Sequence, residues 1–144
     1  MKVKIKKLYA DAILPTKAHV TDAGYDLYAH SKSYDEYGNV VYGSGVAMEI
    51  PRGYVGLVFP RSSNSKRHLI LSNSVGVVDS GYRGEILFKF KLTHKFGDNP
   101  QDVYELGDRI GQIIIMPYPE IEFVEVEKLS DSDRGTGGYG SSGK

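Results

Sequence analysis

The sequence predicts an all-β domain, built as a sandwich, a jelly roll or a barrel. Short segments in which apolar and polar residues alternate recur along the chain, and this is the pattern of half-buried strands. Glycine accounts for 17 of 144 residues, about 12%, against about 7% in an average protein. Because glycine and proline mark turns between the segments, the pattern favours many short strands over long helices.

Six segments carry the strand pattern. They lie around Val3 and Ile5, and at Val46–Ile50, Tyr54–Phe59, Ile86–Leu92, Ile110–Met116 and Ile121–Val126. Between Ser33 and Gly45, the pair Gly38-Asn39 predicts a hairpin turn, since both residue types accept the left-handed backbone of tight turns. Only Ser62–Leu69 is suited to a helix, and to a short one.

The chain is long enough for one domain and too short for two ordinary ones. Its composition changes after Leu129, because residues 130–144 contain five glycines and four serines but one large apolar residue, Tyr139. Such a segment buries too little apolar surface to offset the entropy of ordering it. We therefore expect one β domain over residues 1–129 and a mobile C-terminal tail over residues 130–144.

The composition excludes several classes of protein. Lysine plus arginine and aspartate plus glutamate each count 18, so no net charge attracts a polyanion and we expect no general nucleic-acid binding. The absence of cysteine removes disulfides, thiol nucleophiles and thiolate zinc sites. No segment has the length of a membrane span, and the basic start lacks the apolar core of a signal peptide. We expect a cytoplasmic protein, or a nuclear one if the source is eukaryotic or viral.

Three polar segments contain side chains suited to phosphate chemistry. Arg61 stands beside Ser62 and Ser63 after an apolar run, which suits either a phosphate cradle or a helix N-cap. Asp79 follows another apolar run, where its carboxylate is placed either to activate a water or to cap a turn. Gln112 lies among apolar residues, and its amide needs a partner from the backbone or a ligand.

The tail combines groups that suit closure over a nucleoside phosphate. Its glycines expose backbone N–H groups, Ser141 and Ser142 add hydroxyls, Arg134 adds positive charge, and Tyr139 adds a ring for stacking. The alternative is an unstructured terminus without a ligand, which is common for such compositions.

Five motifs taken in order resemble the trimeric deoxyuridine triphosphate nucleotidohydrolases, the dUTPases. The resemblance covers the chain from about Ala18 to Gly143. The motifs are D-A-G-x-D-L from Asp22, P-R-S-S from Pro60, G-x-x-D-S-x-Y-x-G-E from Gly76, G-D-R-x-x-Q from Gly107, and R-G-x-G-G-[aromatic]-G-S-[ST]-G from Arg134. Each motif alone is a weak signal, whereas five in this order are highly specific.

The resemblance implies a jelly-roll-like distorted β-barrel that forms a homotrimer and shares its active sites between chains. It also implies hydrolysis of dUTP to dUMP and pyrophosphate, with Asp79 activating the water that attacks the α-phosphorus. Mg²⁺ is expected on the triphosphate oxygens without a direct protein ligand, and Asp26 would help to order the surrounding water and metal shell.

The same resemblance assigns the substrate-binding residues. Uracil is expected to meet Asn73 and the backbone from Gly76 to Val78, with Tyr82 packed under the deoxyribose. Tyr139 would stack on the uracil, at a position where the family usually has phenylalanine. The remaining groups, which would bind the phosphates or close the site from the tail, are Arg61, Ser62, Ser63, Gln112, Arg134, Gly140, Ser141 and Ser142.

Two alternative functions and the role of two segments stay open. The alternatives are a relative of the dCTP deaminases, and a trimeric dUTP-binding sensor that acts on a partner protein. The segments Lys32–Ser44 and Lys95–Tyr104 look longer than in compact relatives. They are either inert hairpins or surfaces for a protein partner, with Lys32–Ser44 as the stronger candidate.

Overall fold

The computed structural model describes residues 1–93 and 103–138. Within them, nine strands form two antiparallel sheets. The strands are β1 Lys4–Lys7, β2 Tyr25–Tyr28, β3 Ser31–Tyr34, β4 Asn39–Glu49, β5 Tyr54–Phe59, β6 Leu69–Leu71, β7 Gly76–Val78, β8 Glu85–Leu92 and β9 Arg109–Pro117. One sheet has the order β1-β4-β8-β6 with β3 added on β4, and the other has the order β2-β9-β5-β7.

The hydrophobic core takes its side chains from both sheets. The first sheet contributes, among others, Val40, Tyr42, Ile86, Phe88 and Phe90, and the second contributes Leu27, Val58, Ile110 and Ile113. In β8 the alternate residues Ile86, Phe88 and Phe90 are buried, as the alternation of that strand predicts. Burial of these large side chains supplies the main driving force for holding the two sheets together.

Most of the elements predicted from the sequence are confirmed. The segments around Val3 and Ile5 and at Val46–Ile50, Tyr54–Phe59, Ile86–Leu92 and Ile110–Met116 correspond to β1, β4, β5, β8 and β9. The one helix in the described residues is the 3₁₀ helix Ser62–Lys66, inside the segment that predicts it. No helix in the described residues is long and apolar enough to cross a membrane.

The prediction of a strand at Ile121–Val126 is wrong for the single chain. This segment has no regular secondary structure and pairs with none of the nine strands. Its apolar side chains are exposed, with Ile121 at 70%, Phe123 at 91% and Val124 at 73%. A strand needs a neighbour to satisfy its backbone N–H and C=O groups, and the described part of this chain offers none to it.

The segment Lys32–Ser44 is not a long loop. It forms the antiparallel hairpin of β3 and the first half of β4, in the register Ser31 with Gly43 and Tyr34 with Val40. Gly38 has a φ of +76°, which confirms the predicted turn and its need for glycine. The greater part of the segment is therefore a structural unit of the first sheet, and its exposed surface is confined to β3 and the turn.

Asp35 organises this turn. Its carboxylate accepts hydrogen bonds from the backbone N–H of Tyr37 (3.1 Å) and of Asn39 (2.9 Å), and from the Asn39 side chain at 2.9 and 3.0 Å. Lys89 on β8 donates to the same carboxylate at 3.1 Å. The hydrogen bonds from Asn39, followed by those from Lys89 and Tyr37, lower the pKa of Asp35 to about 2.

The turn should make folding stability depend on acid pH. A carboxyl whose pKa is lower in the folded state stabilises the fold above its unfolded pKa of 3.8, and loses this effect as pH falls towards 2. Between pH 7 and 5 we expect the urea concentration at the midpoint of unfolding to be higher for the wild type than for Asp35→Asn. This difference between the two midpoints should shrink below a pH of about 4. Urea unfolding at a series of pH values measures this, and a difference independent of pH would contradict it.

Candidate active site

Two clefts contain most of the site residues predicted in the described part of the chain. The first, of about 290 Å³, lies where β2, β9 and the end of β5 meet. Its lining brings together residues from three of the sequence motifs: Asp22, Ala23, Gly24, Asp26, Arg61, Ser62 and Gln112, with Ala18 and Ile114 beside them. The sheet register explains the meeting, since Gln112 pairs with Asp26 on one side and with Phe59 on the other.

Arg61 and Asp26 form the charged part of this first cleft. Arg61 Nε donates to Asp26 Oδ1 at 2.9 Å, and the Asp26 side chain is only 14% exposed. Arg109 Nη1 contacts the other oxygen, Oδ2, at 3.2 Å. Arg61 is the guanidinium that lines the cleft, and its planar group suits the binding of a phosphate chain.

Gln112 has a defined position in the same cleft. Its Nε2 donates to the carbonyl oxygen of Pro60 at 3.3 Å, so the amide has the backbone partner that its apolar surroundings require. Gly24 makes room for it, because a Cβ at this position would lie 2.1 Å from Gln112 Oε1. A side chain at the glycine of the first motif would therefore displace the amide of the glutamine of the fourth from its present position.

The short 3₁₀ helix presents the two serines that follow Arg61. Arg61 has extended backbone at the N-cap and no side chain caps the helix, so the N-cap interpretation of Ser62 and Ser63 is wrong. Ser63 Oγ instead accepts a hydrogen bond from Arg61 Nη1 at 3.3 Å. Ser62 is exposed at the wall of the cleft, with its hydroxyl available to a ligand.

The base of this helix is held by two residues that the sequence analysis missed. Asn64 donates from Nδ2 to the carbonyl of Leu69 (2.7 Å) and accepts at Oδ1 from the hydroxyl of Tyr104 (3.0 Å). The backbone N–H of Tyr104 donates to the hydroxyl of Tyr42 at 2.8 Å. No local signal identifies this pair, because Tyr104 lies 40 residues beyond Asn64 in the sequence.

The second cleft, of about 160 Å³, lies beside β7 and the turn before it. Its lining contains Asn73, Gly76, Val78 and Tyr82, all predicted to meet the nucleoside, with Val58, Val77, Glu85, Ile86 and Leu87 around them. A Cβ on Gly76 would lie 2.5 Å from Val58 Cγ2, so only glycine fits here. In the described residues, β7 is the outer strand of its sheet, which leaves the backbone groups on its far side for a ligand.

Asp79 and Tyr82 lie in the turn that follows β7. Asp79 comes directly after β7 and is exposed, and no other described residue donates a hydrogen bond to its carboxylate. Its carbonyl accepts from the backbone N–H of Tyr82 at 3.0 Å, which closes a tight turn. The Tyr82 hydroxyl donates to the carbonyl of Glu85 at 3.0 Å, and its ring lies over Gly84, where a Cβ would be 2.4 Å from that hydroxyl.

The single chain does not bring all predicted site residues together. The two clefts share no lining residue, and Arg134 lies in neither of them. Arg134 is exposed in a turn of the tail, where Nε donates to the carbonyl of Gly137 at 2.8 Å. The predicted tail residues Tyr139, Gly140, Ser141 and Ser142 lie outside the described residues, as does most of Lys95–Tyr104.

The carboxylates of the first cleft already accept hydrogen bonds from donors of the chain. The described residues contain no group of three or more histidines, aspartates or glutamates that could hold a metal ion. Both oxygens of Asp26 are engaged by arginines. Asp22 Oδ2 accepts from the backbone N–H of His19 at 2.9 Å. A cation in this cleft would therefore compete with the two arginines for Asp26.

The fold defines the class of protein, an all-β jelly-roll-like domain, and comparison with known proteins identifies the family. Residues 10–143 match the family model for dUTPase. Two similar relatives are the deoxyuridine 5'-triphosphate nucleotidohydrolases of Gloeobacter violaceus, with 41% identity, and of Leifsonia xyli, with 44%. The first alignment covers 99% of this chain and 97% of the relative, and the second covers 90% and 85%. The chain belongs to the dUTPase family.

Solved structures agree with this assignment. A dUTPase of Staphylococcus bacteriophage 80alpha, solved with dUpNHpp, superposes with a TM-score of 0.84 at 31% identity, with 99% of each chain covered. A variant dUTPase from Staphylococcus aureus phage phi11 has a TM-score of 0.75 at 26% identity, with 90% of this chain and 99% of that chain covered. The phi11 structure is described as showing the coordination of a structural Mg(II) ion.

Proposed function

We propose that this enzyme hydrolyses dUTP to dUMP and pyrophosphate at a site formed by the two clefts. The observation that carries the proposal is the convergence of Arg61, Ser62, Gln112 and Asp26 in one polar cleft, in a chain that belongs to the dUTPase family. The second cleft supplies the nucleoside site, with a glycine-backed strand edge and a tyrosine ring at its mouth.

Asp79 is the proposed general base. Its carboxylate takes a proton from water while the water oxygen forms a bond to the α-phosphorus. The bond from that phosphorus to the oxygen bridging the α- and β-phosphates breaks, and pyrophosphate leaves with the bonding electrons. The exposed carboxylate has no competing hydrogen-bond donor among the described residues, so it is available to a water.

The nucleoside cleft selects uracil in this proposal. Backbone groups at the free edge of β7 and the amide of Asn73 would pair with the uracil edge, whose donors and acceptors are reversed in cytosine. A site that leaves buried polar groups unpaired discriminates by about 10⁴-fold. Tyr82 would pack under the deoxyribose, where its hydroxyl bond to Glu85 holds the ring.

The phosphates would bind in the polar cleft. Arg61 supplies charge, Ser62 and Ser63 supply hydroxyls, and Gln112 adds its amide, while Asp26 holds Arg61 and orders nearby water. Mg²⁺ bound through the phosphate oxygens would neutralise their charge, with no direct protein ligand. Arg134 and the tail residues Tyr139, Gly140, Ser141 and Ser142 would close over the nucleotide.

A homotrimer with shared sites is the proposed assembly. One support is that the two clefts of a single chain share no lining residue, as expected if each cleft contributes to a different site of the trimer. Another is the apolar segment around Ile121 and Phe123, which is exposed and has no strand partner in the described chain. An apolar groove of about 330 Å³, lined by Val3, Ile5, Tyr25, Ile113 and other residues, offers a surface for such a segment.

We place the enzyme in the cytoplasm. The relatives named above are bacterial, and a bacterial cell has no nucleus in which a second site of action would lie.

An assay of pyrophosphate release tests the proposed function. The protein is incubated with Mg²⁺ and dUTP, with dCTP and dTTP as parallel substrates. We expect rapid release from dUTP alone. Ammonia release from dCTP would identify a deaminase instead, and dUTP that binds without turnover would identify a sensor.

Removing the tail should slow the reaction without unfolding the domain. A chain that ends at Asp133 loses Arg134 and the glycine-rich closing segment but keeps every core residue. We expect kcat/KM to fall by about 10²-fold, the loss that follows from poor positioning of a bound substrate. Light scattering should give the same oligomer mass for both chains. A truncated chain that does not assemble would show that the tail belongs to the structural unit.

A further inference from the structure

A chain of side-chain hydrogen bonds connects the β3–β4 turn to the turn that carries Asn73. Lys89 contacts Asp35, and both oxygens of Asp35 accept from Asn39 Nδ2. At the other end of the amide, Asn39 Oδ1 accepts from the hydroxyl of Ser72 at 2.5 Å. Asn39 and Ser72 are 33 residues apart in the sequence, so the contact depends on the folded sheet.

The amide of Asn39 is held in one orientation. Its residue is 6% exposed, its nitrogen faces a carboxylate, and its oxygen faces a hydroxyl. A flipped amide would place an oxygen against the carboxylate of Asp35, which is unfavourable for two acceptors. Ser72 therefore meets a rigid acceptor, whose position is set by Asp35 and Lys89.

Ser72 directly precedes Asn73 and is held by a backbone hydrogen bond to β8. Its backbone N–H donates to the carbonyl of Lys89 at 2.8 Å, just beyond β6. The chain then turns sharply, since Ser74 has a φ of +60° and Val75 N–H donates back to the Asn73 carbonyl at 2.6 Å. The Ser72 side chain adds a second anchor, through Asn39, at the residue from which the turn beside the nucleoside cleft departs.

We propose that Ser72 and Asn39 are positioning residues for nucleobase selection, because they hold the turn that presents Asn73 to uracil. This inference rests on the proposed function. Neither residue lines the nucleoside cleft, so both act through Asn73 and the following backbone. Loss of the hydrogen bond should weaken recognition of the base and leave the chemical step at Asp79 almost unchanged.

Ser72→Ala tests this with little structural disturbance, because Ser72 is exposed and loses only its hydroxyl. We expect KM for dUTP to rise about fivefold, the effect of one neutral hydrogen bond, with kcat changed by less than about twofold. The ratio of kcat/KM for dUTP to that for dCTP should fall. Ser72→Thr keeps a hydroxyl and should restore the wild-type KM, and Ser33→Ala, an exposed serine on β3, is the matched control.

Backbone hydrogen exchange in the ligand-free protein gives a second readout that needs no activity. In Ser72→Ala, the amides of Ser74 and Val75, which donate to the carbonyls of Leu71 and Asn73, should exchange faster, while those of β4 and β8 keep their wild-type protection. If Ser72→Ala kept the wild-type KM and the wild-type exchange rates, the positioning role would be overturned. A variant that lost only thermal stability would overturn it as well. A wild-type protein that releases no pyrophosphate from dUTP would overturn the proposed function instead, and the exchange result would still decide the positioning role.

Discussion

Replacing Asp79 with asparagine should lower kcat for dUTP by about 10³-fold and leave nucleotide binding close to wild type. The substitution keeps the size and shape of the side chain but removes the group that takes the proton from water. Asp79 is exposed at the end of β7, and no described residue donates a hydrogen bond to its carboxylate, so the change breaks no structural contact in that part of the chain. Single-turnover kinetics would measure the chemical step directly.

Asp11→Asn is the matched control for this experiment. Asp11 has an exposed carboxylate in the N-terminal turn, paired with His30 at 3.0 Å, and it lines neither cleft. The same chemical change there should leave turnover at the wild-type level. Wild-type turnover in Asp79→Asn would show that another group activates the water, and equal losses in the two variants would indicate a general effect on the fold.

Arg61→Gln should lower kcat/KM for dUTP by 10²-fold to 10³-fold, the cost of removing a group that stabilises developing charge. Arg61 lines the polar cleft and is oriented by its ion pair with Asp26. Glutamine keeps a polar side chain but cannot neutralise a phosphate. Steady-state kinetics with dUTP measures the loss, and a fluorescent analogue measures binding separately.

Arg109→Gln is the matched control for Arg61→Gln, because it breaks an ion pair with Asp26 without removing a group that lines the cleft. Arg109 contacts the other oxygen of Asp26, but it is more exposed than Arg61, at 43% against 26%, and it does not line the cleft. Each variant leaves Asp26 with one arginine, so the two should lose similar stability. We expect less than about a tenfold loss of kcat/KM for Arg109→Gln. Equal kinetic losses in both would contradict a direct phosphate contact by Arg61.

Alternation and apolar runs along the chain predicted β1, β4, β5, β8 and β9, but not the short strands β2, β6 and β7, which also have partners within the chain. Ile86–Leu92 is the clearest pattern and becomes β8, which lies between β4 and β6. The same pattern at Ile121–Val126 gave a wrong prediction, because the described chain offers no neighbouring strand to this segment. Periodicity reports which side of a segment avoids water, and it carries no information on which strand satisfies the backbone.

The motifs supplied the residues of the site but not their arrangement. They predicted Arg61, Asp26 and Gln112 as functional residues, and these lie in one cleft because β2, β9 and β5 are neighbours. The nucleoside cleft is separate from it within one chain, as active sites shared between chains would require. The motifs missed Asn64 and Tyr104, whose contact forms only after the chain has folded.

The sequence by itself determined the all-β class, the turn at Gly38-Asn39 and the identity of the motif residues, because these depend on local preferences and on residue type. Only the tertiary structure decided that Arg61 pairs with Asp26 and that Asn39 meets Ser72, across 35 and 33 residues. Such contacts depend on the order and register of strands in each sheet. Register is set by the packing of many side chains at once, so no short segment contains it.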